Sequence, residues 1–566
     1  MKQILCEITI HNTKISVLRY VQFFLLLLFI SGRCFILKAQ EETAPGKYRI
    51  VFTDKANSPF STDRPEEFLS AKAIVRRQKQ NIPVDERDIP VNPFYIKEVT
   101  STGARILTVS KWFNAVTIEN TDPAVLRHIM ALPFVRQDSL KTISFCHYKN
   151  KELVIEDILK TTAVDYGASF RQIVIHNGDQ LHNAGYTGEG IQIAILDAGF
   201  YHADVYDALS DLWNENRIYG YRDFVNPYSS FFSEHYHGTA VLSVLAGIMP
   251  GYLAGSAPDA GYWLLRSEDG TSEYIIEEDN WIAAAEYADS AGVDIINTSL
   301  GYSVFHDPAQ NHSYDDMNGN STRITVAADI AASKGILVVV SAGNEGNGTW
   351  RYITAPADAD SILAVGAIDS LKFIAGFSGR GPASDGRIKP DVCAMGVRTF
   401  SINAYGIPAR LNGTSFSAPV ITGLAACLWQ ANPEASAMEI RTAIIESADR
   451  FSNPDTLYGY GIPDFSLANI LLKRRKLSPD QSVPVTLFPN PFSAGIYIWL
   501  NTEIPSEITL TLCDASGKVI YSAEHKTENG EDYIRVFEGL SHLVHGIYII
   551  RITSDNWQYS ARLLKL

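Results

Sequence analysis

The 566-residue chain, at about 150 residues per domain, is long enough for roughly four modules. With 46% hydrophobic, 20% charged and 11% aromatic residues, 39 Gly and 25 Pro, it has a globular composition that excludes collagen-like, disordered and disulfide-scaffold classes. Against 63 acidic residues stand 48 Lys and Arg, and the resulting formal charge of -15 repels phosphate backbones and anionic headgroups, so no nucleic-acid partner is expected.

Lys2, Lys14 and Arg19 precede the apolar run VQFFLLLLFI from Val21 to Ile30, which Gly32 and Arg33 stop. A run that falls far short of the ~20 residues a bilayer crossing needs reads as a secretory signal peptide over 1–40, with cleavage near Ala39 or Gln40. Arg33 stands where a lipoprotein signal would want a small residue before Cys34. No other stretch is long and apolar enough to span, so no transmembrane anchor is expected.

Residues 41–155 form a module of their own. Tyr48 to Phe52 alternates as a strand, Pro65 to Gln80 has helical apolar spacing, and Arg105 to Ile118 holds two β-rich runs. Pro123 to Leu132 opens with a helix-starting Pro, and Phe134 to Phe145 is strand-like again. The order β, α, β, β, α, β predicts a ferredoxin-like α+β fold.

From 160 to 472 the pattern changes to strands alternating with helices. IQIAIL (191–196), DIINTSL (294–300), GILVVVS (335–341) and ILAVGAI (362–368) are continuous apolar runs, as expected of strands buried on both faces. Between them, WIAAAEYADSAG (281–292) and ITVAADIAASKG (324–335) read as helices, the second stopped by Gly335. The alternation predicts an α/β domain, a parallel sheet flanked by helices, with its ligand at the strand C-terminal ends. The basic run Lys473–Lys476 and the Ser-Pro-Asp after Leu477 read as a linker over 473–483. From 484 to 566 the text is all-β: ITLTLC (508–513) alternates, a turn follows over 514–517, and a closing hairpin turns at 554–556, so a small sandwich is expected. The six Cys, at 6, 34, 146, 393, 427 and 513, are too far apart for a metal cluster and read as small buried hydrophobes, with any Cys393–Cys427 pairing open.

Three residues of the middle domain have the types that nucleophilic catalysis needs. Asp197 directly follows a strand, His237 opens the helix HGTAVLSVLAG, and Ser415 lies in the turn GTSFSAP (413–419) leading into an apolar helix. A hydroxyl becomes an effective nucleophile when an imidazole takes its proton, and a buried carboxylate fixes the tautomer of that imidazole. The order Asp, His, Ser, at intervals of 40 and 178 residues, is one of the known triad orders. His235 is the rival base, but only His237 is followed by Gly-Thr. Pro419 reads as part of the first turn of the helix, which would put Ser415 at the positive end of the helix dipole.

DAGF, HGTAV, SAGNEG, FSGRGP and GTSFSAP stand in one order and spacing over residues 190–465, and together they resemble the subtilisin-like serine peptidases. The resemblance implies an endopeptidase with Asp197, His237 and Ser415 as triad and Asn344 as oxyanion-hole donor, needing no cofactor. It also implies that Ser299, Leu300 and Gly301 pair with an extended substrate while Ala342 and Gly343 border the first specificity pocket. Within the insert VFHDPAQNHSYDDMNGNS after Tyr302, Asp315, Asp316, Asn318 and Asn320 resemble a structural calcium loop. The bidentate Glu of an EF-hand is missing there, and a polar turn about Gly319 is the favoured reading.

In this light, 41–155 looks like a subtilase propeptide, and self-cleavage is expected between about 145 and 170. The C-terminal module, with LFPNPF at 487–492, Gly546-Ile547-Tyr548 and a final ARLLKL, resembles the sorting domain of proteins exported by the type IX secretion machinery of Bacteroidetes bacteria. The expectation is a secreted or cell-surface serine endopeptidase made as a zymogen, acting on protein or peptide substrates. Two alternatives stay open: an idle adhesin on the same scaffold, and a processing protease of narrow specificity whose acidic cleft, from Glu273, Glu277, Glu278 and Asp279, selects basic residues.

Overall fold

Runs such as QIAILD and LVVVS have no polar face to offer water, and each is buried along nearly its whole length. In the computed structural model they form the centre of a seven-stranded sheet. Its strands are β1 (Gln192–Asp197), β2 (Ile218–Asp223), β3 (Gly261–Arg266), β4 (Ile295–Thr298), β5 (Leu337–Ser341), β6 (Leu363–Ile368) and β7 (Val392–Met395). They lie side by side in the order β7-β6-β5-β4-β1-β3-β2, and every pairing is parallel. Register is set by pairs such as Ile295 with Ile193 on one side and with Leu337 on the other.

Described residues are 41–120, 122–137, 164–476, 485–488, 492, 496–500, 507–526, 533–537, 540–554 and 557–565. The signal peptide expected over 1–40 lies outside them, as do Pro489-Asn490-Pro491 and most of the expected self-cleavage region. The chain divides into two compact units, one reaching Ser466 and the other comprising the C-terminal module from Leu467.

β2, β3 and β7 were not expected. β2 is the edge strand of the sheet, with exposed Tyr219 and Tyr221, so it lacks the apolar run that marks a doubly buried strand. β7 is bounded closely by Pro390-Asp391 and Gly396, which cut its apolar run short. The main helices are α1 (His237–Ala246), α2 (Ile276–Ala291), α3 (Arg323–Ser333) and α4 (Thr414–Gln430). α3 is followed by Gly335 in the left-handed region at φ +84°, the stop expected there. The sheet changes winding direction between β1 and β4, and Asp197 and Ser299 lie at the C-terminal ends of these neighbours. That is where an open α/β sheet forms its ligand crevice.

In the N-terminal domain the strands Glu41–Ala44, Lys47–Val51, Ala115–Glu119 and Arg105–Ser110 lie in that order in an antiparallel sheet. The last three keep the ferredoxin-like order. The strand expected over 134–145 is represented by a single antiparallel bridge from Phe52 to Val135, and residues beyond 137 lie outside the description. The helix expected over 65–80 is a 3-10 turn at Pro65–Glu67 followed by Ala71–Lys79, which restarts because the Ser70 hydroxyl accepts the Ala73 N–H at 3.1 Å. Helix Pro93–Ser101, capped by Asn92, is additional.

The C-terminal unit has a three-stranded and a four-stranded antiparallel sheet, with Leu510, Leu512, Ile550 and Ile552 in its core. Its closing hairpin, Gly546–Ser554 with Trp557–Lys565, falls where the alternation placed it. Lys473–Lys476 corrects the linker expectation, for it ends the helix Phe465–Lys476. Cys393 and Cys427 are free thiols, buried apart in the protease core.

Candidate active site

Asp197, the last residue of β1, is 1% exposed. Its Oδ1 accepts the Ala198 N–H at 2.8 Å and lies 2.7 Å from His237 Nδ1. His237 is the first residue of α1 and is half-buried. Burial alone would lower its pKa, but the Asp197 charge and hydrogen bond, with a further contribution from Glu268, hold it above the ordinary 6.5. The approach is as close as it is because residue 238 is Gly: a Cβ there would stand 2.5 Å from the Gly199 carbonyl oxygen and 3.0 Å from Asp197 Cβ. His235 is exposed and accepts the His237 N–H at 3.3 Å, so the imidazole facing Asp197 is His237.

Ser415 is the second residue of α4, which brings the neighbouring Phe416 ring to 5.8 Å from the His237 ring. Pro419 lies inside the helix and not in its first turn, which corrects the expectation. Lacking an N–H, it cannot bond the carbonyl four residues back, which is that of Ser415. The Ser299 hydroxyl takes that place, donating to Ser415 O at 3.0 Å, and the Ser415 hydroxyl donates to Ser299 O at 3.0 Å. This reciprocal pair ties the end of β4 to the start of α4.

Asn344 is exposed in the loop after β5, and its Oδ1 accepts from Thr414 N at 2.9 Å and Thr414 Oγ1 at 3.0 Å. With the oxygen so held, the amide NH2 is left to donate elsewhere. A cavity of about 420 Å³ is lined by Ser299, Leu300, Gly301, Gly343, Asn344 and Ser415. Ala342, expected at its border, is fully buried just after β5, its N–H donating to Val365 O at 3.0 Å.

The acidic cleft expectation is corrected in part. Glu278 lies 2.6 Å from His312 Nε2, and Asp279 pairs with Arg323 at 3.1 Å and with Arg49 of the N-terminal domain. Of the four acids, Glu273 lines the cavity that holds Ser415. Two residues of the calcium-loop expectation are engaged in local hydrogen bonds. Asp316 accepts from both N and Oγ of Ser313 at 2.7 Å, and Asn318 turns its amide to Asp315 O at 2.8 Å and Ser321 Oγ at 2.7 Å. These side chains close a polar turn about Gly319, at φ +81°.

Sequence reading missed the role of Glu286 and Asp289 on α2. Glu286 accepts from Ser110 Oγ at 2.6 Å, Lys111 N at 2.7 Å and Trp112 N at 3.0 Å. Asp289 meets Arg76 at 2.6 Å, Arg77 at 2.9 Å and Lys111 at 3.0 Å, with all four side chains buried. The N-terminal domain therefore sits on α2 through charge pairs that water does not reach. Two acids inside an Ala-rich helix were the only available signal.

A parallel α/β sheet that carries a buried carboxylate–imidazole pair beside a serine at a helix N-terminus defines the serine hydrolase class. Comparison with known proteins makes this specific. The subtilase family profile matches residues 188–461, a Bacteroidota peptidase S8 propeptide profile matches 47–154, and a secretion system C-terminal sorting profile matches 486–565. Serine protease AprX of Bacillus subtilis is 30% identical over 56% of this chain and 72% of its own length. Subtilisin DY of Bacillus licheniformis is 30% identical over 51% of this chain and 94% of its own. The solved structure of MycP1 from Mycobacterium smegmatis superposes with a TM-score of 0.42 at 21% identity, covering 55% of this chain and 86% of its own. The chain belongs to the subtilase family and is a serine-type endopeptidase with a propeptide domain before the protease and a sorting domain after it. Among the described residues no helix is long and apolar enough to cross a membrane.

Proposed function

We propose that the chain is a self-processing zymogen of a secreted endopeptidase that cleaves proteins through an acyl-enzyme on Ser415. The observation that carries the reading is the 2.7 Å contact between buried Asp197 and His237 Nδ1, beside the helix N-terminus that holds Ser415. In this reading Asp197 keeps the proton on Nδ1, which leaves Nε2 free to take the Ser415 proton as the hydroxyl turns from Ser299 O and attacks the peptide carbonyl. The Ser415 N–H and the Asn344 amide receive the oxyanion. His237 then returns the proton to the departing amine, and water attacks the acyl-enzyme by the same route to release the acid and restore Ser415.

The proposed layout is a signal peptide at 1–40, propeptide at 41–155, protease at 160–472 and sorting domain at 484–566, with the last directing export through type IX machinery to the surface or medium. The clean test is to incubate the purified protein with an unfolded protein mixture, with and without a serine-directed phosphonate, and sequence the products. Inhibitor-sensitive cleavage that disappears in Ser415→Ala is expected. Cleavage that persists in that variant would defeat the reading.

A further inference from the structure

We propose that Glu268, Glu273 and Glu277 form a subsite for a cationic side chain, arginine or lysine, of the polypeptide substrate. This deepens the peptidase reading and rests on it. Glu268 lies just past the C-terminal end of β3, Glu273 in the loop that follows, and Glu277 is the second residue of α2. One carboxylate oxygen from each lies within 4.8 Å of the other two. Glu277 is 1% exposed, and neither of its carboxylate oxygens has a hydrogen-bond partner. Among the described residues none of the three is ion-paired; Arg266, at the end of β3, is committed to Asp223 at 2.9 Å and Glu234 at 3.2 Å.

A buried carboxylate without a partner must keep a proton or acquire a positive charge. Burial, then repulsion from Asp197 and Glu273, pushes Glu268 up to about 8; burial, then repulsion from Glu273 and Glu268, pushes Glu277 up to about 10; burial alone pushes Glu273 up to about 7. The trio is therefore set to exchange protons for a cation near neutral pH.

Its position points to the substrate as the source. Glu273 lines the cavity that holds Ser415, and Glu268 is close enough to Asp197 and His237 to feel both charges. A point can be found within about 2.8 Å of three oxygens so spaced, which suits N–H···O bonds of about 2.7–3.2 Å.

The test uses the purified full chain and fluorogenic peptides in which arginine or its neutral isostere citrulline is placed, in turn, at each position flanking the scissile bond. At one position arginine should raise kcat/KM at least tenfold over citrulline, as charge-assisted bonds require. Glu277→Gln and, separately, the half-buried Glu273→Gln should each remove most of that ratio, with the citrulline peptide reporting the activity that survives. Equal rates for arginine and citrulline at every position would overturn the subsite while leaving the peptidase reading intact. No cleavage of any peptide would instead count against the peptidase reading. A stoichiometric calcium site on the Ser415→Ala chain, lost in Glu277→Gln and unaccompanied by arginine preference, would also overturn the subsite.

Discussion

Asp289 is the point on which the N-terminal domain's grip on the protease can be measured. Its carboxylate, fully buried on α2, meets Arg76 at 2.6 Å, Arg77 at 2.9 Å and Lys111 at 3.0 Å. Burial raises its pKa, but these three cations outweigh that and hold it well below the usual carboxylate range. Removing one partner of a buried ion pair costs about 3–5 kcal/mol, because the remaining charges cannot return to water. Here the lower end applies, because each cation keeps another acceptor: Arg77 has Asp88 at 2.6 Å, Lys111 has Ser290 Oγ at 2.8 Å, and Arg76 has Lys334 O at 3.2 Å. Asp289→Asn should therefore cost about 3 kcal/mol, a factor of about 10² in the opening equilibrium. Native-state hydrogen exchange on the Ser415→Ala chain reads this directly, as faster exchange over Ala71–Lys79 and Arg105–Ser110 with the protease sheet unchanged. The surface pair Lys72–Asp294, with Lys72 one-third exposed, is the control and should cost less than about 1 kcal/mol when broken by Lys72→Ala. A change below threefold for Asp289→Asn would refute the claim that these buried charges hold the domain. Because the folded pKa is depressed, the contribution is present above the unfolded carboxylate pKa and is lost only as pH falls through the lower folded value.

Further tests follow from the site. His237 must be neutral to accept a proton, and its pKa is raised, so kcat/KM should fall as pH drops through a value above 6.5; an acid limb at or below that value would contradict the Asp197 pairing. Asp197→Asn should move that limb downward, since burial then acts on the imidazole without the opposing charge. Gly238→Ala would push a Cβ to 2.5 Å from Gly199 O and 2.9 Å from the Phe200 ring, and should cut kcat/KM at least tenfold by displacing His237 from Asp197; near-normal activity would show that the approach tolerates a side chain. Deleting residues 484–566 should leave the protein in the periplasm, measured by fractionation, whereas unchanged release would remove the sorting role.

The central strands were legible because burial on both faces leaves an unbroken apolar run, as in β1, β4, β5 and β6. β2 escaped because an edge strand shows tyrosines to water, and β7 because Pro390-Asp391 and Gly396 bound it closely and cut its apolar run short. At the site, Asp197, His237 and Ser415 announced themselves through local motifs, and the structure brings Asp197 against His237 and the start of α4 alongside. What local reading could not supply was partnership between residues far apart in the chain. Glu278 and Asp279 look like Glu273 and Glu277 in the sequence, yet the first two are satisfied by His312, Arg323 and Arg49 while Glu277 has no hydrogen-bonded partner for its carboxylate. Pro419 misled for a similar reason: the carbonyl it frees is met by Ser299, more than a hundred residues earlier in the chain.

The most direct test of the proposed mechanism is mass spectrometry of the protein after reaction with a serine-directed phosphonate. One covalent adduct is expected, located on Ser415, formed quickly in the parent protein and at least a hundredfold more slowly in His237→Ala. An adduct on another serine, or labelling of Ser415 at an equal rate without His237, would contradict it.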